Sequence, residues 1–360
     1  MNIRELLQII HSEIPTHTAE SWDNVGLLIG DDTTQVTGIM TTLDCTVAVI
    51  DEAVSKGVNT IICHHPLIFS GIKQINAGGY GTIMRYAIKN DIQLIAMHTN
   101  LDNYKYGVSY MIGEQIGLKN QSILLRERKT LCKLQLFVPT EAAERIKAAL
   151  ADAGAGQIGE YSHCFYTTEG VGQFKPSQDA QPYVGERGEI HYEQELKVEC
   201  VFEPHLRQHI ENVISDVHPY ETPAYDIFDY TVHAEYGTGS IGTIGKMTVR
   251  KFAELLKEKL DIPSVKVIGD MNAEIASVSI IGGAGVSYMS EISGKSDVFL
   301  TGDIKYHEAH DLLMEGQIAI DIGHYSEYVM KDGLKSIFNR LIPDMLVYAS
   351  ATNTNPFNEV

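Results

Sequence analysis

Short apolar runs alternate with helix-spaced apolar positions along the first third of the chain. Residues 36–42 read as a strand that ends at Leu43-Asp44, and 47–54 as a helix stopped near Gly57. Residues 58–63 form a second apolar run leading into His64-His65-Pro66, 80–89 a second helix, and 92–97 a third strand leading into His98-Thr99-Asn100-Leu101-Asp102. Strands alternating with helices in this way predict βαβ units, a parallel sheet and an α/β fold class. Ligands of such sheets gather beyond the carboxyl ends of the strands. Asp44, His64, His65, His98 and Asp102 all fall just past those ends, so three strands are expected to deliver them to one rim.

The last third repeats the pattern. Residues 249–260 read as an amphipathic helix, and 276–281 as a strand followed by Gly282-Gly283-Ala284-Gly285. Strand 297–300 precedes Thr301-Gly302-Asp303 and His307, and strand 317–320 precedes Asp321, His324 and Glu327. The middle differs. Strand 131–138, helix 141–151, strand 196–202 and helix 205–217 form two strand–helix copies, which predict a ferredoxin-like α+β module. The glycine-rich stretch 170–188 between them reads as a loop or a long hairpin. The expected organisation is therefore discontinuous: an α/β domain at 1–127 and 239–360, with 128–238 inserted.

Composition narrows the partners. Forty-seven acidic against 28 basic residues give a net charge of −19, a surface that repels phosphate backbones, and no basic patch offsets it; nucleic acid is not an expected partner. No apolar run reaches the roughly 18 residues of a membrane span. The first ten residues carry Glu5 and helix-spaced Ile3, Leu6, Leu7 and Ile10, unlike a secretory signal, so the expected location is cytoplasmic. The five cysteines, 45, 63, 132, 164 and 200, are scattered and never spaced C-x-x-C, which excludes a disulfide framework and a thiolate zinc site.

The chemistry then rests on imidazoles and carboxylates. With 14 His in the chain, the His64-His65 doublet alone is weak evidence, and exposed rings at a turn account for it equally well. Its position strengthens it: neighbours on a strand point to opposite faces, but Pro66 bends the chain, and both rings can then face one cavity in a way that suits two metals better than one. Asp102 is either a ligand or the N-cap of a helix beginning at 104. Glu327 is either a ligand sharing a helical face with His324 or a first-turn acid favoured by the helix dipole. Nitrogen and oxygen donors of this kind suit zinc, iron or manganese. Gly282 to Gly285 read as a tight turn in preference to a phosphate nest. His307 and His310 share a helical face, and His307 is a candidate outer partner. The lone Trp22 reads as packing.

These blocks add up to a family resemblance. Ser21-Trp22-Asp23-Asn24-Val25-Gly26-Leu27, Cys63-His64-His65-Pro66-Leu67, His98-Thr99-Asn100-Leu101-Asp102, Thr301-Gly302-Asp303 and Gly323-His324-Tyr325-Ser326-Glu327 resemble, in order, the signature blocks of the NIF-three-like family, whose members carry the label GTP cyclohydrolase 1 type 2 homologues. Gly172-Gln173-Phe174-Lys175-Pro176 and His218-Pro219-Tyr220-Glu221 resemble the PII/CutA-like insert of its longer bacterial members. The resemblance implies two divalent metal ions, zinc first, held by His64, His65, Asp102, His324 and Glu327. It also implies a ring-like homohexamer. Many relatives space the last His and Glu by four residues, whereas here the spacing is three.

Two functions follow. One is a metal-dependent hydrolase of a nucleotide or related small molecule, with His98 or His307 moving protons as catalytic groups. The other is a regulatory or metal-handling protein in which the insert senses a ligand and no catalysis occurs.

Overall fold

The computed structural model describes residues 1–358. The chain divides into two compact units, Met1–Glu127 with the chain from Glu235 on, and Arg128–Ala234. The second boundary lies four residues before the expected 238/239, inside the strand Tyr225–Thr248; the first lies inside the strand Lys119–Pro139.

The first unit holds two mixed sheets where the pattern predicted one parallel sheet. In one, Gln93–Ala96, Thr60–Cys63, Ile39–Thr42 and Val347–Ala349 run parallel, and Gly26–Ile29 adds an antiparallel edge. In the other, Glu274–Ile280, Val298–Thr301 and Ala319–Asp321 are parallel, flanked antiparallel by Tyr225–Thr248 and Lys266–Ile268. The strands Ile39–Thr42, Thr60–Cys63, Gln93–Ala96 and Val298–Thr301 are buried along their whole length, which is why they read as continuous apolar runs.

The main core lies between the two sheets. Helices Ile3–Glu13, Val108–Ile116, Val249–Lys259 and Met330–Leu341 place Leu6, Ile112, Phe252 and Phe338 there, against Ile62 and Ile95 of one sheet and Val278, Leu300 and Ile320 of the other. Helices Val47–Ser55 and Gly79–Lys89 cover the opposite face of the first sheet through Val49, Ile50, Met84 and Ala87. On the second sheet, Phe299 and Ala319 pack with Ile292 and Leu312. No helix among the described residues is long and apolar enough to cross a membrane.

In the second unit, Tyr166–Phe174 pairs antiparallel with His191–Phe202, so residues 166–202 form a long hairpin around the glycine-rich stretch. The strand order is Tyr166–Phe174, His191–Phe202, Lys119–Pro139, Tyr225–Thr248. Helices Ala143–Asp152 and Arg207–Val217 cover this sheet through Ile146, Leu150, Ile210 and Ile214. The succession is β-α-β-β-α-β.

Candidate metal centre

The donors come from the carboxyl ends of strands in both sheets of the first unit. Where Thr60–Cys63 ends, the backbone N–H of His64 donates to the Thr42 and Leu43 carbonyls at 3.1 Å, and that of His65 to Leu43 at 3.0 Å. This clamp overrides strand alternation and brings the two rings to centroids 5.2 Å apart. Asp102 closes a short helical turn, Thr99–Asp102, after Gln93–Ala96. It caps no helix, because the next one runs Val108–Ile116 and opens at Gly107. His324 and Glu327 lie on a 3₁₀ helix, His324–Val329. Three residues make one turn of such a helix, so side chains three apart eclipse. The three-residue spacing therefore aligns the pair, with His324 Nε2 3.2 Å from Glu327 Oε2.

Glu327 Oε2 is the centre of the arrangement. It lies 3.2 Å from His65 Nε2 and 3.9 Å from His64 Nε2, and Asp102 Oδ1 is 3.6 Å from His64 Nε2. Three groups have donor atoms close enough to hold a metal ion: His64, His65 and His98; His65, His324 and Glu327; His64, Asp102 and Glu327. His64 Nε2 and Asp102 Oδ1 are shut off from solvent and have no hydrogen-bond partner among the described residues. Leaving a buried polar atom unpaired costs about 1–3 kcal/mol, and a cation between the two would satisfy both. The donor set thus fits metal ions.

Each imidazole is oriented from behind through Nδ1. The partners are the Met97 carbonyl for His64 (2.8 Å), Asp44 for His65 (2.7 Å), Asp303 for His324 (2.7 Å) and Asp23 for His98 (2.9 Å). A proton held at Nδ1 leaves Nε2 as the free donor, the usual arrangement behind metal-binding histidines. Asp303 takes the left-handed backbone conformation, φ +56°, to reach its partner; aspartate tolerates this better than most side chains. The structure does not bring His307 to the group. It is exposed on the helix Tyr306–Met314 beside the Tyr306 ring, and the outer partner of His324 is Asp303 instead.

Burial lowers His64 to about 4. Burial also opposes charge on His65, but its bonds to Asp44 and Glu327 outweigh this and push it up to about 10. The bond to Glu327 raises His324 to about 9. Burial and the Glu327 charge raise Asp102 well above the usual carboxylate range. Glu327 itself is held low: burial opposes its charge, but the bonds from His324 and His65 prevail.

Room for this carboxylate comes from glycine. A Cβ on Gly283 would stand 2.8 Å from Glu327 Oε1, and one on Gly282 3.1 Å. The Gly282 to Gly285 turn is thus a close approach to Glu327. The group borders two cavities. One, of about 600 Å³, is lined by Asp44, His65, Asp303 and His324; the other, of about 280 Å³, by Trp22, His98, Asp102 and Glu327.

The chain matches the model of the Duf34/NIF3 (NGG1p interacting factor 3) family over residues 1–356. It belongs to this family. A GTP cyclohydrolase 1 type 2 homolog of Staphylococcus aureus is 44% identical over 366 residues, covering 100% of both chains. One from Staphylococcus epidermidis is 45% identical over 363 residues, covering 99% of each. Among solved structures, a Staphylococcus aureus protein superposes with a TM-score of 0.91 at 41% identity, covering 100% of this chain and 99% of that one. A Bacillus cereus protein related to NIF3 does so at 0.81 and 36%, with the same coverage. The Duf34/NIF3 fold thus carries, in this chain, histidine and carboxylate groups able to bind metal.

Proposed function

We propose that the protein is a dinuclear-metal hydrolase acting on a nucleotide or related small molecule. The observation that carries this reading is the sharing of Glu327 between two donor groups. His65 and His324 would hold one ion, His64 and Asp102 the other, and Glu327 would serve both. Zinc suits the nitrogen and oxygen donors first, with iron and manganese also admitted. When bound, two such ions supply Lewis acidity and bring the pKa of a coordinated water down to about 7. The chain's own residues orient and shield. Asp44 and Asp303 fix the rings of His65 and His324, and the buried Glu327 keeps its charge. His98, held by Asp23 at the edge of the group, would move a proton. His307 has no part. The relatives' name, GTP cyclohydrolase 1 type 2 homolog, supports a nucleotide as the first substrate class to try.

The test is turnover of GTP, other nucleotides and phosphate esters by metal-loaded protein. The rate is expected to rise as pH passes through about 7. Absence of turnover with two ions bound would reject the hydrolase in favour of a regulatory or metal-handling role.

Metal uptake should itself depend on pH. Without metal, His65 titrates near 10 and His324 near 9. A protonated imidazole cannot accept a cation, so binding displaces protons. Affinity is expected to climb with pH up to that range, by about tenfold per unit for each proton released. Calorimetric titrations in buffers of different ionisation enthalpy would read the protons directly; an affinity flat between about pH 6 and 9 would contradict the assignment.

Family resemblance further supports a homohexameric ring. Light scattering at micromolar concentration is expected to give six times the 39.9 kDa chain mass; a monomer would refute it.

A further inference from the structure

Trp22, the single tryptophan of the chain, does not pack as its sequence suggests. It is 58% exposed, its ring centroid lies 5.8 Å from that of Phe69, itself 53% exposed, and its edge meets the His98 ring at 6.2 Å. It also lines the cavity of about 280 Å³ that reaches Asp102, Glu327 and His324.

This placement is built. The neighbouring Asp23 has no exposed side-chain surface. Its carboxylate takes hydrogen bonds from the Thr99 N–H at 3.0 Å and the Thr99 hydroxyl at 2.5 Å, besides holding His98. Asn24 Nδ2 donates to the Ile68 carbonyl at 2.6 Å, tying the tryptophan turn to the segment that bears Phe69. Trp22 is thus fixed at the mouth of the candidate centre with large apolar area facing water. Burying that area is worth about 25 cal/mol per Å², so the exposed ring is a cost unless a ligand covers it.

We infer that Trp22, backed by Phe69, is a stacking platform for a planar heteroaromatic ring of the substrate. The inference rests on the hydrolase reading and names what the substrate must carry. At about 280 Å³ the cavity lies just below the usual ligand-pocket range of about 300–1,000 Å³, and suits one ring system with its reacting atom turned toward the donor group. Glu20 also lines it; a carboxylate accepts hydrogen bonds and favours a ring edge bearing N–H groups.

Because Trp22 is the chain's one tryptophan, its fluorescence reports this contact alone. Metal-loaded protein titrated with guanosine or GTP is expected to show saturable quenching, and ribose 5-phosphate, which has no aromatic ring, is expected to show none. By calorimetry, Trp22→Ala should weaken the nucleoside complex roughly tenfold or more, the usual loss for a stacked base. Trp22→Phe should restore most of it, and metal content should be unchanged in both. A nucleoside that binds equally to wild type and Trp22→Ala, or that binds without quenching, overturns the inference. So does a buried, ligand-insensitive emission arising from a contact between copies of the chain. Hydrolysis of ring-free phosphate esters with no nucleoside binding sinks the platform and spares the hydrolase. Nucleoside binding through Trp22 without turnover of any substrate does the reverse.

Discussion

Glu327→Gln is expected to abolish dinuclear metal binding and lower turnover by more than roughly a hundredfold. The magnitude follows from a comparison. Mutating residues that only orient metal ligands commonly costs 10–100-fold in metal affinity or activity, and Glu327 would touch both ions. The substitution preserves volume in a tight place, where only the missing Cβ atoms of Gly282 and Gly283 leave room for the side chain, so lost charge and not a cavity is what the assay reads. Asp102→Asn provides the contrast. Asp102 belongs to one donor group only, so it should lower occupancy toward one ion per chain. Elemental analysis beside kinetics separates the two. Equal losses of metal in both variants would contradict the central position of Glu327.

Removing metal should cost stability on a scale comparable with folding itself. In the metal-free protein, His64 Nε2 and Asp102 Oδ1 are buried and unpaired. Metal present at a thousand times its dissociation constant adds about 4 kcal/mol to the folded state, against a typical total of about 5–15 kcal/mol. For a unit of this size each kcal/mol moves Tm by about 2–4 °C. Thermal melts with excess zinc are therefore expected to lie about 8–16 °C above melts in chelator. Superimposable curves would mean that the donors hold no ion in the folded protein.

The sequence made the first sheet's contribution legible because parallel strands obey a strong positional rule. His64, His65 and Asp102 follow continuous apolar runs, and the rule places them at carboxyl ends. What it hid was the division into two sheets. Local pattern gives strand identity but not which strands share a ladder, and Val347–Ala349 returns from the far end of the chain to pair with Ile39–Thr42. The same rule put Asp44, the partner of His65, on the rim, but the pairing of the other two orienting carboxylates was hidden. Asp23 and His98 are 75 residues apart, and Asp303 and His324 are 21 apart, so no periodicity links them. His307 looked eligible because it follows a strand end and shares a helical face with His310, yet it stands exposed on its helix. Trp22 misled by type: a lone tryptophan usually packs, and only the half-buried hydrogen bonds of Asp23 and Asn24 explain why this one is held in the open.

The 3₁₀ geometry of His324–Val329 makes ligand spacing and helix type a single variable. At three residues per turn, a step of three returns to the same azimuth; at 3.6 it falls about 60° short, while a step of four overshoots by about 40°. A one-residue insertion between His324 and Glu327 would thus find an aligned carboxylate only by relaxing the turn into an α-helix. Relaxing the present turn without an insertion would swing Glu327 away from both donor groups. Grafting this centre onto another scaffold therefore requires copying the winding of the backbone together with the two side chains.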